Sequence, residues 1–321
     1  MEVEYEACTV LSGHQFGGAW TEVKLEAIAA YFGYYNNVLR TQPRQDQPFR
    51  RWYVDAFAGS GSRTADIANG GLLEGRPFEV EQIELAGSAR KALQVNPQFD
   101  ELVFIEGHRG RFNDLAKLKS DYPFRSIDCR HGEANEELTR LFTSRPWVTS
   151  SGKNWTDRAV VFLDPYGMNV EWKTLKMLAA TRAVDVWYLF PLEGVTRQLA
   201  HKLNRIDSNK QLKLDQIFGT DAWRTELYET HVERDLFDAQ TTQAGRAVDK
   251  KQIEQYAINR LRTIFSYVSP PMPLVNNSER QLFSLLCLAN PATEKAEMLI
   301  NRGVNWVIKN YGQASRRKFA P

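Results

Sequence analysis

Cysteine is scarce: Cys8, Cys129 and Cys287 stand alone, with no Cys-x-x-Cys pair and no Cys/His spacing. That argues against a metal site, and so low and odd a count argues against a disulfide framework. Long apolar runs are also missing. None approaches the ~18–20 residues that a membrane span requires. The opening MEVEYEA is acidic and lacks the apolar stretch of a secretory signal. Neither charge dominates, with 41 basic residues against 39 acidic. A global basic field for nucleic acid is therefore absent, although a local patch is compatible with this balance. These absences predict a soluble, cytoplasmic chain without a metal centre and without a membrane partner.

What is present suits a sizeable core. The hydrophobic fraction is 43% over 321 residues, enough for one large domain or a domain with an appendage. No internal repeat and no long low-complexity segment interrupts it. Trp20–Leu39 reads as a helix capped by Thr21, with Val23, Ile28, Tyr31, Phe32, Tyr35 and Leu39 forming an apolar stripe. After a polar link, short apolar strands alternate with helices. The predicted strands are Trp52–Phe57, Leu102–Glu106, Ser126–Arg130, Ala159–Asp164 and Val184–Phe190. Between them fall helices at Gly87–Val95, Phe112–Lys119, Glu136–Phe142 and Trp172–Thr181, and an irregular insertion over residues 63–82. Alternation of this kind indicates a parallel sheet covered on both faces. Val195–Thr230 and Val248–Phe265 read as helical, and Thr293–Asn310 as a last helix. Tyr267–Val275 and Gln281–Ala289 read as strands joined by a link too short for a parallel crossover, hence an antiparallel hairpin. The expected divisions are an N-terminal helical extension over 1–48, a Rossmann-like core over 49–193, a helical insertion over 194–266, and strands and a helix completing the sheet over 267–321.

Four constellations sit at strand ends, where open α/β sheets bind ligands. The first is Asp55-Ala56-Phe57-Ala58-Gly59-Ser60-Gly61, whose glycines permit close approach of backbone to ligand. An ordinary strand-to-helix turn is the plainer explanation, but its place after WYVDAF favours a binding loop. The second is Glu106, able to accept from both hydroxyls of a ribose. Glu84 fits the usual spacing of roughly 20 residues better, but Glu106 closes the more convincing strand. The third is His131-Gly132-Glu133-Ala134-Asn135, where Glu133 or Asn135 would meet an adenine amino group, or Asn135 would cap the following helix. The fourth is Asp164-Pro165-Tyr166-Gly167. A carboxylate leaving a buried strand needs a partner or a task, and Tyr166 offers a flat face to a planar ring. A simple turn is the alternative there. Arg40, Arg44, Arg50 and Arg51, and Arg316, Arg317 and Lys318, form two basic clusters more readily explained as solvated charge.

Together these residues resemble class I S-adenosylmethionine-dependent methyltransferases. The closer resemblance is to the three-Cys-motif partner family (TcmP). It is carried by TEVKLEAIAAYF, YVDAFAGSGS, GSARKAL, FIE, HGEAN, FLDPYGMNVEW, VDVWYLFPLEGVTR, FGTDAW and FSLLCLAN, from about Trp20 to Asn310. The resemblance implies a doubly wound, mostly parallel seven-stranded sheet with an antiparallel C-terminal hairpin. It implies S-adenosylmethionine held by Asp55, Phe57, Ala58, Gly59, Gly61, Glu106, Glu133 and Asn135, with Asp164, Pro165 and Tyr166 at the acceptor. The expected activity is methyl transfer to a nucleobase amino or ring nitrogen of a nucleic acid substrate. The alternative is a methyltransferase-fold binding module that acts with a three-cysteine-motif partner protein, without turnover. Glu133 stands where that family tends to have Asp. The loop also lacks the second proline of amino-methyltransferases, and no cysteine follows a proline as in cytosine-C5 enzymes.

Overall fold

A computed structural model describes residues 19–41, 48–71, 76–144, 146–147, 156–234, 240–276 and 278–312, with backbone alone for 19, 62–85 and 231–243. Cys8, Arg44, Arg316, Arg317 and Lys318 lie outside the described residues. In chain order the strands are β1 (Arg50–Asp55), β2 (Ser62–Gly71), β3 (Arg76–Ala86), β4 (Glu101–Glu106), β5 (Ile127–His131), β6 (Asp157–Leu163), β7 (Val184–Phe190), β8 (Tyr228–Arg234), β9 (Gln240–Arg246), β10 (Tyr267–Val268), β11 (Met272–Val275) and β12 (Gln281–Ala289). The helices are α1 (Ala19–Thr41), α2 (Ser88–Gln94), α3 (Arg109–Ala116), α4 (Leu118–Asp121), α5 (Ala134–Phe142), α6 (Trp172–Thr181), α7 (Leu192–Gln198), α8 (Ser208–Phe218), α9 (Trp223–Glu226), α10 (Lys250–Arg262) and α11 (Glu294–Tyr311).

The central sheet runs β10-β12-β7-β6-β1-β4-β5, with β11 also paired to β12. Pairs β5/β4, β4/β1, β1/β6 and β6/β7 are parallel. β12 is reversed against β7, and β10 and β11 are reversed against β12, so the outer edge points the same way as the core. Because β10 and β11 share one place, the sheet has seven positions with a single reversed strand next to the edge. That order and that reversal define the class I methyltransferase type of doubly wound fold. Pro270 and Pro271 explain why the outer position is two short pieces, since proline brings no N–H to a ladder. Ser269 bridges the interruption, its N–H donating to the Cys287 carbonyl at 2.9 Å.

Both faces of the sheet are covered. Val54, Val103, Val161 and Val186 pack with residues of α5, α6, α7, α8 and α10 on one side. Tyr53, Leu102, Phe162 and Trp187 pack with α1, α2 and α11 on the other. Strand alternation sends successive side chains to opposite faces. In β6, Ala159 to Leu163 are all fully enclosed, which is why it reads as a continuous apolar run. Each such side chain contributes roughly 1.5–3 kcal/mol.

Three expectations are corrected. Residues 63–82 are no irregular insertion: β2 and β3 form a hairpin that carries Glu84 opposite Thr64. The span 194–266 is not wholly helical, because β8 and β9 make a second hairpin. Its strand QTTQAGR is polar, with little in its sequence to announce it. Helix α1 starts at Ala19, so Thr21 lies inside it and does not cap it. Among the described residues no helix is long and apolar enough to cross a membrane.

Burial also stores a pH dependence. Tyr31 of α1 donates to Asp185 of β7 at 2.8 Å. Burial pushes the Asp185 carboxyl up to about 6, against the opposing effects of the Tyr31 hydrogen bond and Arg158. A raised carboxyl binds a proton in the fold that the unfolded chain has already released, so stability is lost as pH climbs through the folded value. Relative to Asp185→Asn, the wild type should lose on the order of 1–2 kcal/mol between pH ~4 and ~7. Melting temperatures across that window check it: a gap between the two proteins that does not widen with pH would contradict it.

Candidate functional site

The ends of β1, β4, β5 and β6 bring all four constellations to one side of the sheet. After β1 the chain turns sharply. Gly59 and Gly61 have φ of 64° and 81°, the left-handed region that side chains avoid. A Cβ on Gly59 would meet nothing within 4 Å, while one on Gly61 would lie 3.0 Å from Leu118 Cδ1. Gly59 therefore faces open space and Gly61 faces the core. Asp55 lies under this turn, fully enclosed. Its carboxylate accepts from the Tyr53 hydroxyl at 3.0 Å, the Phe57 N–H at 3.2 Å and the Ser88 side chain. Burial raises its carboxyl to about 6, with these hydrogen bonds opposing. Asp55 shapes the loop from below, its carboxylate engaged within the protein. Ala58 is also buried, its N–H on the Ile105 carbonyl at 2.9 Å, and Phe57 is half-buried.

Glu106 ends β4 with 6% of its surface exposed. Its Oε1 accepts from the His108 N–H at 2.7 Å and from Arg111 Nη2 at 2.9 Å, which leaves Oε2 without a partner among the described residues. Arg111 also lies over the Tyr166 ring, 5.5 Å from its centroid. One guanidinium thus joins the β4 carboxylate to the β6 loop, although no sequence signal singles it out.

At the end of β5 the division of labour differs from expectation. Glu133, not Asn135, caps α5, its carboxylate accepting from the Glu136 N–H at 3.0 Å. Asn135 is saturated. Its Nδ2 donates to Glu133 and to the Asn169 carbonyl, both at 2.8 Å, and its Oδ1 accepts from the Glu171 N–H at 3.1 Å and the Thr174 hydroxyl at 2.8 Å. An amide with two donors and two lone pairs in use has none left for an adenine. Asn135 is a strut tying α5 to the exit of the β6 loop, its side chain engaged within the protein. Glu133 is exposed and keeps lone pairs for a ligand.

The β6 loop holds the most informative contact. Asp164 Oδ2 accepts from Lys24 Nζ of α1. The Lys24 side chain is 4% exposed and that of Asp164 26%. Lys24 also sits 5.2 Å from the Trp20 ring centroid and 5.9 Å from that of Phe162. Asp164 Oδ1 has no partner among the described residues. Pro165 is buried, and Tyr166 is 51% exposed with its hydroxyl raised, mainly by burial. Sequence reasoning passed over Lys24. The signal was there: positions 24, 28, 31 and 35 fall on the apolar stripe of α1, and a lysine in such a stripe requires a partner.

No protein-family model and no curated protein matches the sequence. Among solved structures, protein LPL1258 from Legionella pneumophila, of family DUF519, is 13% identical over 92% of this chain and 94% of that one, with a TM-score of 0.46. An S-adenosylmethionine-dependent methyltransferase from Clostridium acetobutylicum is 10% identical over 84% and 91%, at 0.33. The N-terminal domain of EvdMO1 with SAH bound is 8% identical over 82% and 81%, at 0.35. All are distant, and the strand order, not these likenesses, defines the fold class.

Removing one partner of a buried pair strands the other charge, a loss of ~3–5 kcal/mol when both are fully buried. Asp164 is a quarter exposed, so Lys24→Met should destabilise by on the order of 1–3 kcal/mol. Adding Asp164→Asn should recover much of it, a coupling measurable by denaturant titration. Strictly additive effects would contradict the pair.

Proposed function

We propose that this protein is an S-adenosylmethionine-dependent methyltransferase acting on a nucleobase amino or ring nitrogen. The observation that carries this reading is the pairing of two half-used carboxylates across one cleft: Glu106 with Oε2 unengaged, Asp164 with Oδ1 unengaged. The residues fit the cofactor. Gly59 leaves room for its amino-acid end, Gly61 allows the turn, Glu106 Oε2 would accept from the ribose, and Glu133 would meet the adenine amine. Bound there, S-adenosylmethionine would supply an electrophilic methyl group. The protein's own part is alignment. Lys24 fixes the direction of the Asp164 carboxylate. Oδ1 would accept an N–H of the acceptor and turn the nitrogen lone pair toward the methyl group. The Asp164 and Pro165 carbonyls would hold the same group, and the exposed Tyr166 ring would stack on the base. A duplex target would need its base flipped.

A binding module acting with a three-cysteine-motif partner is the second reading. Fold alone does not establish turnover.

Glu106→Ala should weaken S-adenosylmethionine binding about ten-fold or more, through removal of a charge-assisted hydrogen bond, as read by calorimetry. Unchanged affinity would move the ribose elsewhere. Incubation with labelled S-adenosylmethionine and separate DNA, RNA and protein pools tests the reaction. Asp164→Ala should keep cofactor affinity and lose transfer. Transfer at the wild-type rate would remove Asp164 from the chemistry. Cofactor binding without transfer to any pool, even with a three-cysteine-motif partner present, would favour the module.

A further inference from the structure

The outer face of α11 carries a pattern that the fold does not need. Lys295, Met298, Arg302, Asn305, Trp306 and Lys309 recur every three or four residues, which places them on one side of the helix. All six are exposed. Lys295, Arg302 and Lys309 are seven residues apart, so their stems leave the helix at intervals of about 10 Å. The acidic residues Glu294 and Glu297 fall to one flank of this stripe. Arg302 and Lys309 form no ion pair with any described residue. Between the cations, Met298 is 68% exposed and Trp306 50%. A half-exposed indole is unusual on a helix whose opposite face, Gly303, Val304 and Val307, is already buried. The Tyr311 and Trp306 rings meet edge-to-face at 6.3 Å, and half of the Trp306 surface stays exposed.

The stripe leads to the cleft. Helix α1 descends from the cleft: Lys24 meets Asp164 at the end of β6, while Tyr31 meets Asp185 near the start of β7. α11 climbs beside it. Its residue Asn301 accepts from Tyr267 at the start of β10, and Gly312 lies against Met272 of β11. Gly303 packs on the Tyr34 ring, and Tyr34 donates to the Leu299 carbonyl at 2.8 Å. Trp306 and Lys309 therefore occupy the part of α11 that rises toward the end of α1 bearing Lys24.

We infer that this face of α11 docks the single-stranded polynucleotide flanking the target base. The inference rests on the nucleobase reading above and adds the path of the strand. Cations at regular intervals meet phosphates, and an exposed indole stacks on an unpaired base; these are the two components of sequence-tolerant single-strand binding. A protein interface is depleted of lysine, whereas two of the three cations of this stripe are lysines.

Fluorescence anisotropy with labelled single-stranded DNA and RNA of mixed sequence, titrated at several salt concentrations, tests it. The wild type should bind at least one of the two. The double variant Arg302→Gln/Lys309→Gln should flatten the plot of log affinity against log salt by about 1.4, at ~0.7 for each phosphate no longer neutralised. Trp306→Ala should weaken binding about ten-fold. All are surface changes, and an unchanged melting temperature shows that the fold is intact. Variants that bind like wild type would overturn the stripe, as would polyglutamate competing as well as the oligonucleotide, the mark of a general polyanion or acidic-protein surface. The acceptor reading fails separately: if labelled methyl goes only to the protein pool while these variants still lose oligonucleotide binding, the stripe stands and the nucleobase assignment falls.

Discussion

The ion pair between Lys24 and Asp164 joins the N-terminal helix to the site. An ammonium enclosed by Trp20, Phe162 and the sheet is tolerable only with a counter-charge. Asp164 supplies it from the end of the most buried strand of the molecule. The consequence runs both ways. α1 is held at a fixed height against the sheet, with Tyr31 reaching Asp185 lower down. The loop after β6 in turn has one carboxylate oxygen committed and one without a partner among the described residues. α1 is therefore part of the site, not an extension beside it.

The rest of the cleft follows the same economy. Each carboxylate at a strand end is engaged on one side by its own protein. Asp55 is wholly consumed, shaping the glycine turn from beneath. Asn135 is consumed in bracing α5 against the loop after β6. Glu106 and Asp164 are each half consumed, and they stand at the two places where a ribose and an acceptor amine would be needed. Arg111 connects them through Tyr166, so the ends of β4 and β6 share a common member.

Much of this was legible in the sequence because the central strands are buried on both faces. AVVFLD and VDVWYLF read as strands from composition alone, and the short link after Val275 required a reversed β12. What the sequence hid was of two kinds. β2 and β3, and β8 and β9, are hairpins in which one strand, SRTADIANGG or QTTQAGR, is polar and lacks an apolar alternation, although its partner, RPFEVEQIELA or YETHVER, has one. The tasks of individual polar residues also depended on neighbours distant in the chain: Lys24 on Asp164, Arg111 on Tyr166, Asn135 on Asn169 and Thr174. Glu133 took the capping role that residue preference would give to Asn135, because the helix starts two residues earlier than that preference implies.

The central claim is that the cleft between the glycine turn, Glu106 and Asp164 holds S-adenosylmethionine. Ultraviolet crosslinking of radiolabelled S-adenosylmethionine to the wild-type protein, followed by peptide mapping, tests it directly. The account predicts label on peptides spanning Asp55–Gly61, Glu106–Arg111 or Asp164–Gly167, suppressed by excess S-adenosylhomocysteine. Label elsewhere, such as the hollow of about 420 Å³ lined by Lys176, Arg182 and Asn290 near the opposite ends of the strands, would contradict it.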